Sequence, residues 1–251
     1  MSVNEKAVDF DEIKKDLRSS LIPVMGNEEW LKDVPHKKIE DLALIYRLDS
    51  VSNDEPFQKT TRVTVTNEIV ENLGMNDRQF MEKADSVIPE NDPPVLKNLM
   101  DVLGISGGDD DVSQIIVATN STSREGAGVI HYQGVLDKAA ELLQGDFMVL
   151  PSSIHEVLLL KDDGRMTVED LKEMVHSVNN DVVDPSDQLS DQVYHYDSRE
   201  KVFELAEKFE ERKTRDRTEE RHSVLKELKN GREKSGHDRS DKPRKLSQEA
   251  R

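Results

Sequence analysis

The chain has 251 residues, including 52 Asp or Glu and 35 Lys or Arg, so its formal net charge is −17 at pH 7. It contains no cysteine, which excludes disulfides, thiolate metal sites and cysteine nucleophiles. The negative charge also disfavours nonspecific binding to nucleic-acid phosphates and to anionic membranes, because both depend on Lys and Arg.

This charge is distributed unevenly. Residues 201–251 hold 16 basic and 12 acidic side chains, a local charge of +4, which leaves −21 on residues 1–200. We therefore expect an acidic domain over residues 1–200 and a charged helical extension over 201–230. The last segment, 231–251, is charged and poor in apolar residues, which predicts a disordered tail.

In the first half of the chain, apolar spacing predicts both helices and strands. Phe10, Ile13 and Leu17 are spaced as on one face of a helix. Asn76 and Gln79 have the spacing of a capping box that opens a helix. We also predict strands at Leu21–Met25, Leu42–Leu48 and Arg62–Thr66, and helices at Asn67–Leu73 and Val95–Leu103.

The second half is richer in predicted strands, at Gln114–Thr119, Gly128–Tyr132, Phe147–Leu150, Val157–Leu160 and Val193–Tyr196. Helices are predicted at 134–143 and after Thr167, and Val202, Leu205 and Phe209 predict the start of the helical extension. The core is expected from the second-half strands, at Ile115, Val117, Ile130, Phe147, Val149 and Leu159. The whole pattern predicts an α+β fold, with a mostly antiparallel or mixed sheet and packed helices, a charged C-terminal helix and a disordered tail.

One short segment offers candidate catalytic residues: Ser152, Ser153, His155 and Glu156 lie together at the end of a predicted strand. They supply a hydroxyl, an imidazole and a carboxylate, the types found in nucleophile, base and orienting acid. However, catalytic triads are assembled from separate segments, and no Gly-x-Ser-x-Gly elbow is present. Local turn hydrogen bonds are therefore the favoured interpretation of this segment.

The richest polar loop follows the predicted strand 114–119. Thr119, Asn120 and Arg124 are candidate ligand-binding residues, because hydroxyls, backbone N–H groups and an arginine can hold an anion. A flexible connection between two strands explains the loop equally well. The loop lacks the Gly-Lys-Ser/Thr of a nucleotide P-loop, and the chain has no His-Glu-x-x-His pair. We accordingly expect neither a cofactor nor a metal site.

Hydropathy bears on where the protein is expected to act. The N-terminal residues are too polar for an apolar targeting segment. No apolar run approaches the roughly 18 residues of a membrane span. We therefore expect a cytoplasmic protein with no membrane partner.

Four segments together resemble a domain-of-unknown-function family that is common in anaerobic gut bacteria and often encoded near mobile genetic elements. They are Val34–Tyr46, Val65–Glu68, Leu150–Val157 and Leu189–Tyr194, and the likeness extends from about Leu21 to Asp197. The resemblance implies an α+β fold and a bacterial cytoplasmic setting. It implies no catalytic residues.

Two hypotheses of function follow. The favoured one is a non-catalytic interaction or regulatory protein of a bacterial mobile element, which binds a protein partner through its acidic body or its charged tail. Such a protein could be an acidic inhibitor of a nucleic-acid-binding or defence protein, without direct nucleic-acid binding of its own. The alternative is a hydrolase that uses Ser152 or Ser153 with His155.

Overall fold

A computed structural model of the protein describes residues 9–52, 59–105, 115–151 and 153–236. The chain divides into two compact units, Met1–Glu207 and Lys208–Arg251. The first unit contains both β-sheets and the candidate site residues, so it is the unit that the following paragraphs describe.

A four-stranded antiparallel sheet is built around one long strand. Its strands are β1 (Leu17–Pro23), β2 (His36–Ile39), β3 (Leu42–Ser52) and β4 (Lys59–Thr64). The strand β3 pairs with each of the other three. The apolar segment predicted at Leu42–Leu48 is thus the centre of this sheet, and its central residues are buried.

The second sheet has six antiparallel strands in the order β10-β9-β7-β8-β6-β5. These strands are β5 (Pro94–Asn98), β6 (Ile115–Asn120), β7 (Phe147–Leu150), β8 (Val157–Lys161), β9 (Tyr194–Asp197) and β10 (Val202–Leu205). Together with the helices, the two antiparallel sheets confirm the predicted α+β class.

Both α-helices and 3-10 helices connect the strands. The α-helices are α1 (Phe10–Ile13), α2 (Asn67–Asn72), α3 (Asp77–Asn91), α4 (Leu99–Leu103), α5 (Val135–Leu143), α6 (Val168–Asp181) and α7 (Ala206–Gly236), and short 3-10 helices lie at Lys14–Asp16, Trp30–Asp33 and Gly126–His131. The predicted capping box of Asn76 and Gln79 forms at the start of α3, and Thr167 and Asp170 form a second box at the start of α6. Each box satisfies backbone N–H groups that a helix start otherwise leaves unpaired.

The main core contains residues of both sheets and of helices α3 and α5. Tyr46 and Phe80 meet edge to face there, with 5.4 Å between ring centroids. Of the predicted core residues, Val117, Ile130, Phe147, Val149 and Leu159 are buried, whereas Ile115 is only half-buried. A second, smaller cluster brings β7 residues together with α6.

Two predicted elements have the wrong type. Gly128–Tyr132 is not a strand, because most of it lies in the buried 3-10 helix Gly126–His131. A short buried apolar run does not distinguish a strand from a helix. The helix predicted at Val95–Leu103 is divided, since Pro94–Asn98 pairs with β6 as strand β5 and the Asn98 side chain then caps α4.

Two predicted boundaries also shift. Leu17, predicted on a helix face, is the first residue of β1, which pairs with β3. The helical extension predicted from residue 201 begins instead at Ala206, because Val202–Leu205 forms a hairpin with β9. The Asp197 carboxylate accepts the backbone N–H groups of Arg199 and Glu200 and thereby stabilises the hairpin turn.

The second unit contains most of helix α7, which runs to Gly236. The side chains of residues 213–219 are all exposed. Residues 237–251 of the predicted tail lie outside the described residues. None of the helices in the described ranges combines the length and the apolar character that crossing a membrane requires.

Candidate functional site

The structure brings together the two segments that the sequence analysis selected separately. The Thr119 hydroxyl donates to the backbone carbonyl of His155 at 2.8 Å, and the Gly126 N–H donates to the same oxygen at 3.0 Å. The Ala127 N–H bonds the carbonyl of Ile154 at 3.0 Å. The loop after β6 is therefore attached to the turn Ser153–Glu156, which we call the His155 turn.

Gly126 is placed where no other residue fits. A Cβ atom at this position would lie 2.4 Å from Oγ1 of Thr119, 2.5 Å from the backbone nitrogen of Asn120 and 2.8 Å from the carbonyl oxygen of His155. Two of these three atoms belong to the backbone and cannot move aside cheaply. The close approach of loop and turn thus depends on a glycine at position 126.

His155 uses both of its ring nitrogens for contacts within the fold. Its Nδ1 atom accepts the backbone N–H of Glu125 at 3.0 Å, so the ring proton is on Nε2. That Nε2 atom lies 3.3 Å from a carboxylate oxygen of Asp187, to which it donates. In this tautomer neither nitrogen has a lone pair available to accept a proton from a nucleophile.

Neither Ser153 nor Glu156 completes a nucleophile–base pair with His155. The Ser153 hydroxyl accepts the backbone N–H of His155 at 3.1 Å, which is a local turn contact. Glu156 is half-buried and makes no hydrogen bond or ion pair with other described residues. Ser152 lies outside the described residues. The geometry supports the turn interpretation of this segment.

The polar loop itself is organised by Asn120, which is only 3% exposed. Its carbonyl oxygen accepts the backbone N–H groups of Thr122 and Arg124, at 3.2 and 3.1 Å. Its NH₂ group donates to the Arg124 carbonyl and to the carboxylate of Asp92, each at 2.8 Å. One buried amide therefore determines the path of the loop.

Backbone strain is concentrated in the same loop. Ser123 and Glu125 have φ values of 53° and 51°, in the left-handed region that side chains other than glycine rarely adopt. Residues held in this way occur preferentially at binding sites and active sites. The strain is therefore an independent reason to regard the loop as functional.

Beside this loop is a cavity of about 230 Å³, which we call the arginine pocket. Strands of the first sheet, the residue after α3 and the loop after β6 contribute to it. Its walls consist of polar and charged residues, namely Asp16, Arg18, Ser19, Arg47, Asp49, Arg62, Asp92, Asn120, Thr122, Arg124 and Glu125.

Half of the pocket's charges neutralise each other. Arg62 binds the Asp49 carboxylate with two nitrogens, at 2.6 and 2.5 Å, and also contacts Glu125. Nε of Arg47 lies 2.9 Å from the second oxygen of Glu125. All four side chains are less than one quarter exposed, so solvent screens their attraction only partly.

Arg18 and Arg124 have fewer side-chain partners than Arg47 and Arg62. Among the described residues, Arg18 donates only to the backbone carbonyls of Lys15 and Leu17, at 3.0 and 2.7 Å. The exposed guanidinium of Arg124 makes no hydrogen bond or ion pair within the part of the chain that the structure describes. These two cations are available to an anionic ligand, because guanidinium groups bind carboxylate and phosphate through paired N–H donors.

The pocket contains two of the three predicted ligand-binding residues. Asn120 and Arg124 line it, whereas Thr119 is turned to the His155 turn. Sequence reasoning missed the contributions of Arg47, Asp49 and Arg62. Charged residues two apart within an otherwise apolar strand, as at positions 47 and 49, are a signal that could have indicated a polar site on that face.

Comparisons with known proteins identify the family of this chain. No curated protein and no solved structure matches the chain significantly. Among the described residues, no three His, Asp or Glu side chains are grouped so that they could hold a metal ion. A family model described as a family of unknown function, DUF5688, matches residues 2–198, which includes both sheets up to β9 and the whole arginine pocket. The chain belongs to the DUF5688 family.

Proposed function

We propose that the protein is a non-catalytic binding protein that holds a small ligand in the arginine pocket through an anionic group. The observation that carries the proposal is Arg124, which lines the cavity and whose guanidinium makes no hydrogen bond or ion pair with the described residues. Its loop is kept in place by the buried amide of Asn120. A loop that is already ordered loses little conformational freedom on binding, which lowers the entropic cost.

The absence of catalysis is supported by the contacts of the His155 turn. A general base needs a lone pair within hydrogen-bond reach of the proton that it removes. In His155, Nδ1 accepts from Glu125 and Nε2 donates to Asp187. In this proposal the His155 turn serves to hold the pocket loop, through the contacts of Thr119, Glu125 and Gly126 with His155.

Nuclear magnetic resonance tests the proposal. The ¹⁵N-labelled full-length protein is titrated with inorganic phosphate and, separately, with acetate. We expect shifts of the amide signals of residues 120–126, and a loss of affinity of about tenfold in Arg124→Gln, because a charge-assisted hydrogen bond is removed. Arg199→Gln is the matched control, since Arg199 is an exposed arginine in the β9–β10 turn.

Two results would overturn the proposal. The first is the absence of shifts in residues 120–126 at saturating concentrations of both anions. The second is an affinity that Arg124→Gln and Arg199→Gln leave equally unchanged, which would indicate binding elsewhere on the surface. Because the exposed Arg124 side chain makes no hydrogen bond or ion pair with the described residues, its replacement should not unfold the protein.

A protein partner is a second candidate function, favoured by the exposure of residues 213–219 on α7. A helix that is polar on all sides has no face to bury and is open to contact with another protein. Crosslinking in a host lysate with the full chain and with an Arg215→Glu, Arg217→Glu double variant tests this. The bacterial mobile-element setting, the cytoplasmic location and the role as an acidic inhibitor stay predictions.

A further inference from the structure

The lining of the arginine pocket includes charges of both signs that form no ion pair among the described residues. Its lining includes four arginines and four carboxylates. Arg47 and Arg62 pair with Asp49 and Glu125 in the network described above. The remaining lining charges are two cations, Arg18 and Arg124, and two carboxylates, Asp16 and Asp92.

Asp92 is the most unusual of these groups. It is only 2% exposed, and one of its oxygens accepts the Asn120 NH₂ group at 2.8 Å. Its other oxygen, Oδ1, is inaccessible to solvent and receives no hydrogen bond from the described residues. A buried acceptor without a donor is costly and calls for a partner.

The neighbours of Asp92 influence its charge without satisfying this oxygen. Burial raises the pKa of Asp92, while the hydrogen bond from Asn120 and the charge of Arg18 act in the opposite direction. The Ser121 hydroxyl also favours the charged form, although no hydrogen bond of normal geometry joins it to the carboxylate. A ligand that donates to Oδ1 would stabilise this carboxylate, and because the oxygen is closed to solvent, the ligand must displace neighbouring side chains to reach it.

Asp16 is a second carboxylate of the lining without an ion pair among the described residues. Its half-buried carboxylate lines the same cavity and has no ion pair with other described residues. With Asp92 it forms the acidic part of the unneutralised lining, while Arg18 and Arg124 form the basic part. A ligand that matches both parts must carry a positive hydrogen-bond donor and an anion.

We infer that the ligand of the arginine pocket is a small zwitterion, an α-amino acid, whose carboxylate binds Arg18 and Arg124 and whose ammonium binds Asp92 and Asp16. The inference rests on the proposed function and specifies its ligand. The cavity of about 230 Å³ is below the roughly 300–1,000 Å³ of pockets for drug-sized molecules, which fits a ligand of this size.

Charge also provides selectivity between ligands. A simple carboxylate or phosphate satisfies the two arginines but leaves Asp92 without a donor and adds a negative charge beside it. A simple amine satisfies the carboxylates but leaves Arg18 and Arg124 without an anion. Specificity of this kind arises because the wrong ligand leaves a buried group unpaired.

The test compares one amino acid with two analogues, of which one lacks the ammonium group and the other lacks the carboxylate. The twenty proteinogenic amino acids are titrated into the ¹⁵N-labelled full-length protein, and the tightest is then compared with its des-amino acid and with its amide. We expect the amino acid to bind at least about tenfold more tightly than either, because each analogue loses a hydrogen bond to a charged group. Asp92→Asn should remove the advantage over the des-amino acid, and Arg124→Gln should weaken both ligands that carry a carboxylate.

The outcomes separate this inference from the proposed function. If the des-amino acid binds as tightly as the amino acid and shifts the amides of residues 120–126, the zwitterion inference is wrong and anion binding stands. If neither amino acids nor simple anions shift these amides, both are wrong. The comparison between ligands uses the wild-type protein, so it remains decisive even if Asp92→Asn fails to fold. Asp16→Asn is the second variant and should weaken binding of the amino acid alone.

Discussion

The backbone N–H of Glu125 donates to the Nδ1 atom of His155 at 3.0 Å, across thirty positions of sequence. This contact joins the loop that lines the arginine pocket to the turn that the sequence presented as a candidate catalytic segment. It also determines the tautomer of His155 and directs its Nε2 proton to Asp187. The residue that the sequence offered as a catalytic base thus holds the loop that lines the arginine pocket.

The first prediction concerns this support. His155→Ala removes the acceptor of the Glu125 N–H, so we expect the free energy of unfolding to fall by about 1–3 kcal/mol. Asp187→Asn is the control, because the side chains of His155 and Asp187 are 39% and 35% exposed and such pairs contribute less than about 1 kcal/mol. Urea denaturation measures both. Equal losses in the two variants would contradict the proposed role of Nδ1.

Gly126 is the subject of the second prediction. Gly126→Ala forces a Cβ atom against the backbone of Asn120 and His155, so we expect a loss of more than about 2 kcal/mol of stability. Gly104→Ala is a suitable comparison, because a Cβ at Gly104 meets nothing within 4 Å and only the left-handed φ of +67° opposes it, at about 1–2 kcal/mol. Thermal denaturation at one pH compares the two. A Gly126→Ala protein as stable as the wild type would show that loop and turn separate easily.

A third prediction tests the core. Phe147 is fully buried and packs against Tyr196 with 5.2 Å between ring centroids. Truncation to alanine leaves a cavity, so Phe147→Ala should cost about 3–5 kcal/mol. Met25→Ala, at a side chain that is 83% exposed, should change stability by less than about 0.5 kcal/mol. An unchanged denaturation midpoint for Phe147→Ala would disprove the assignment of β7 to the core.

The fourth prediction is a pH dependence that originates at His131. Burial lowers the pKa of His131 to about 3, and the charge of Lys37 adds to this effect. In the unfolded chain the imidazole has a pKa near 6.5. Between about pH 6.5 and 3, His131 is therefore protonated in the unfolded chain but not in the folded one. His131 accordingly contributes full stability above pH 6.5 and loses it as the pH falls, by up to about 1.4 kcal/mol per pH unit.

The measurement compares wild type with His131→Asn, which cannot titrate in this range. Urea midpoints are recorded from pH 7 to pH 4, where the other acidic and basic groups titrate alike in both proteins. We expect the stability of the variant to fall less steeply than that of the wild type. Parallel curves would mean that His131 accepts a proton in the folded state.

A fifth prediction addresses helix α7. Between Glu210 and Ser223 the sequence has no apolar residue, so no face of this segment can be buried. Ion pairs four residues apart contribute only about 0.2–0.5 kcal/mol each to an isolated helix. We expect backbone amides beyond Glu210 to exchange with deuterium far faster than those of the second-half strands. Strong protection as far as Leu228 in the isolated monomer would show that α7 is held as firmly as the sheet.

Local pattern determined much of this fold. The capping box of Asn76 and Gln79 predicted the start of α3, since its hydrogen bonds join residues only three positions apart. The apolar segment at Leu42–Leu48 likewise predicted a buried strand. Where such a pattern was ambiguous, pairing with another strand determined the secondary structure. Val202–Leu205 has the apolar content of a helix start but pairs with β9 at the edge of the second sheet.

In the candidate site, too, the sequence indicated some features and the tertiary structure determined the others. The sequence by itself drew attention to Asn120, Arg124 and His155, because polar groups and an imidazole in short loops are chemically conspicuous. It did not show that these residues lie in one place, nor that His155 supports the loop. The partners Asp92 and Asp187 are 28 and 32 positions distant from Asn120 and His155, respectively. Only the folded chain brings such groups together, because no local pattern encodes a contact between segments that meet through the packing of the whole fold.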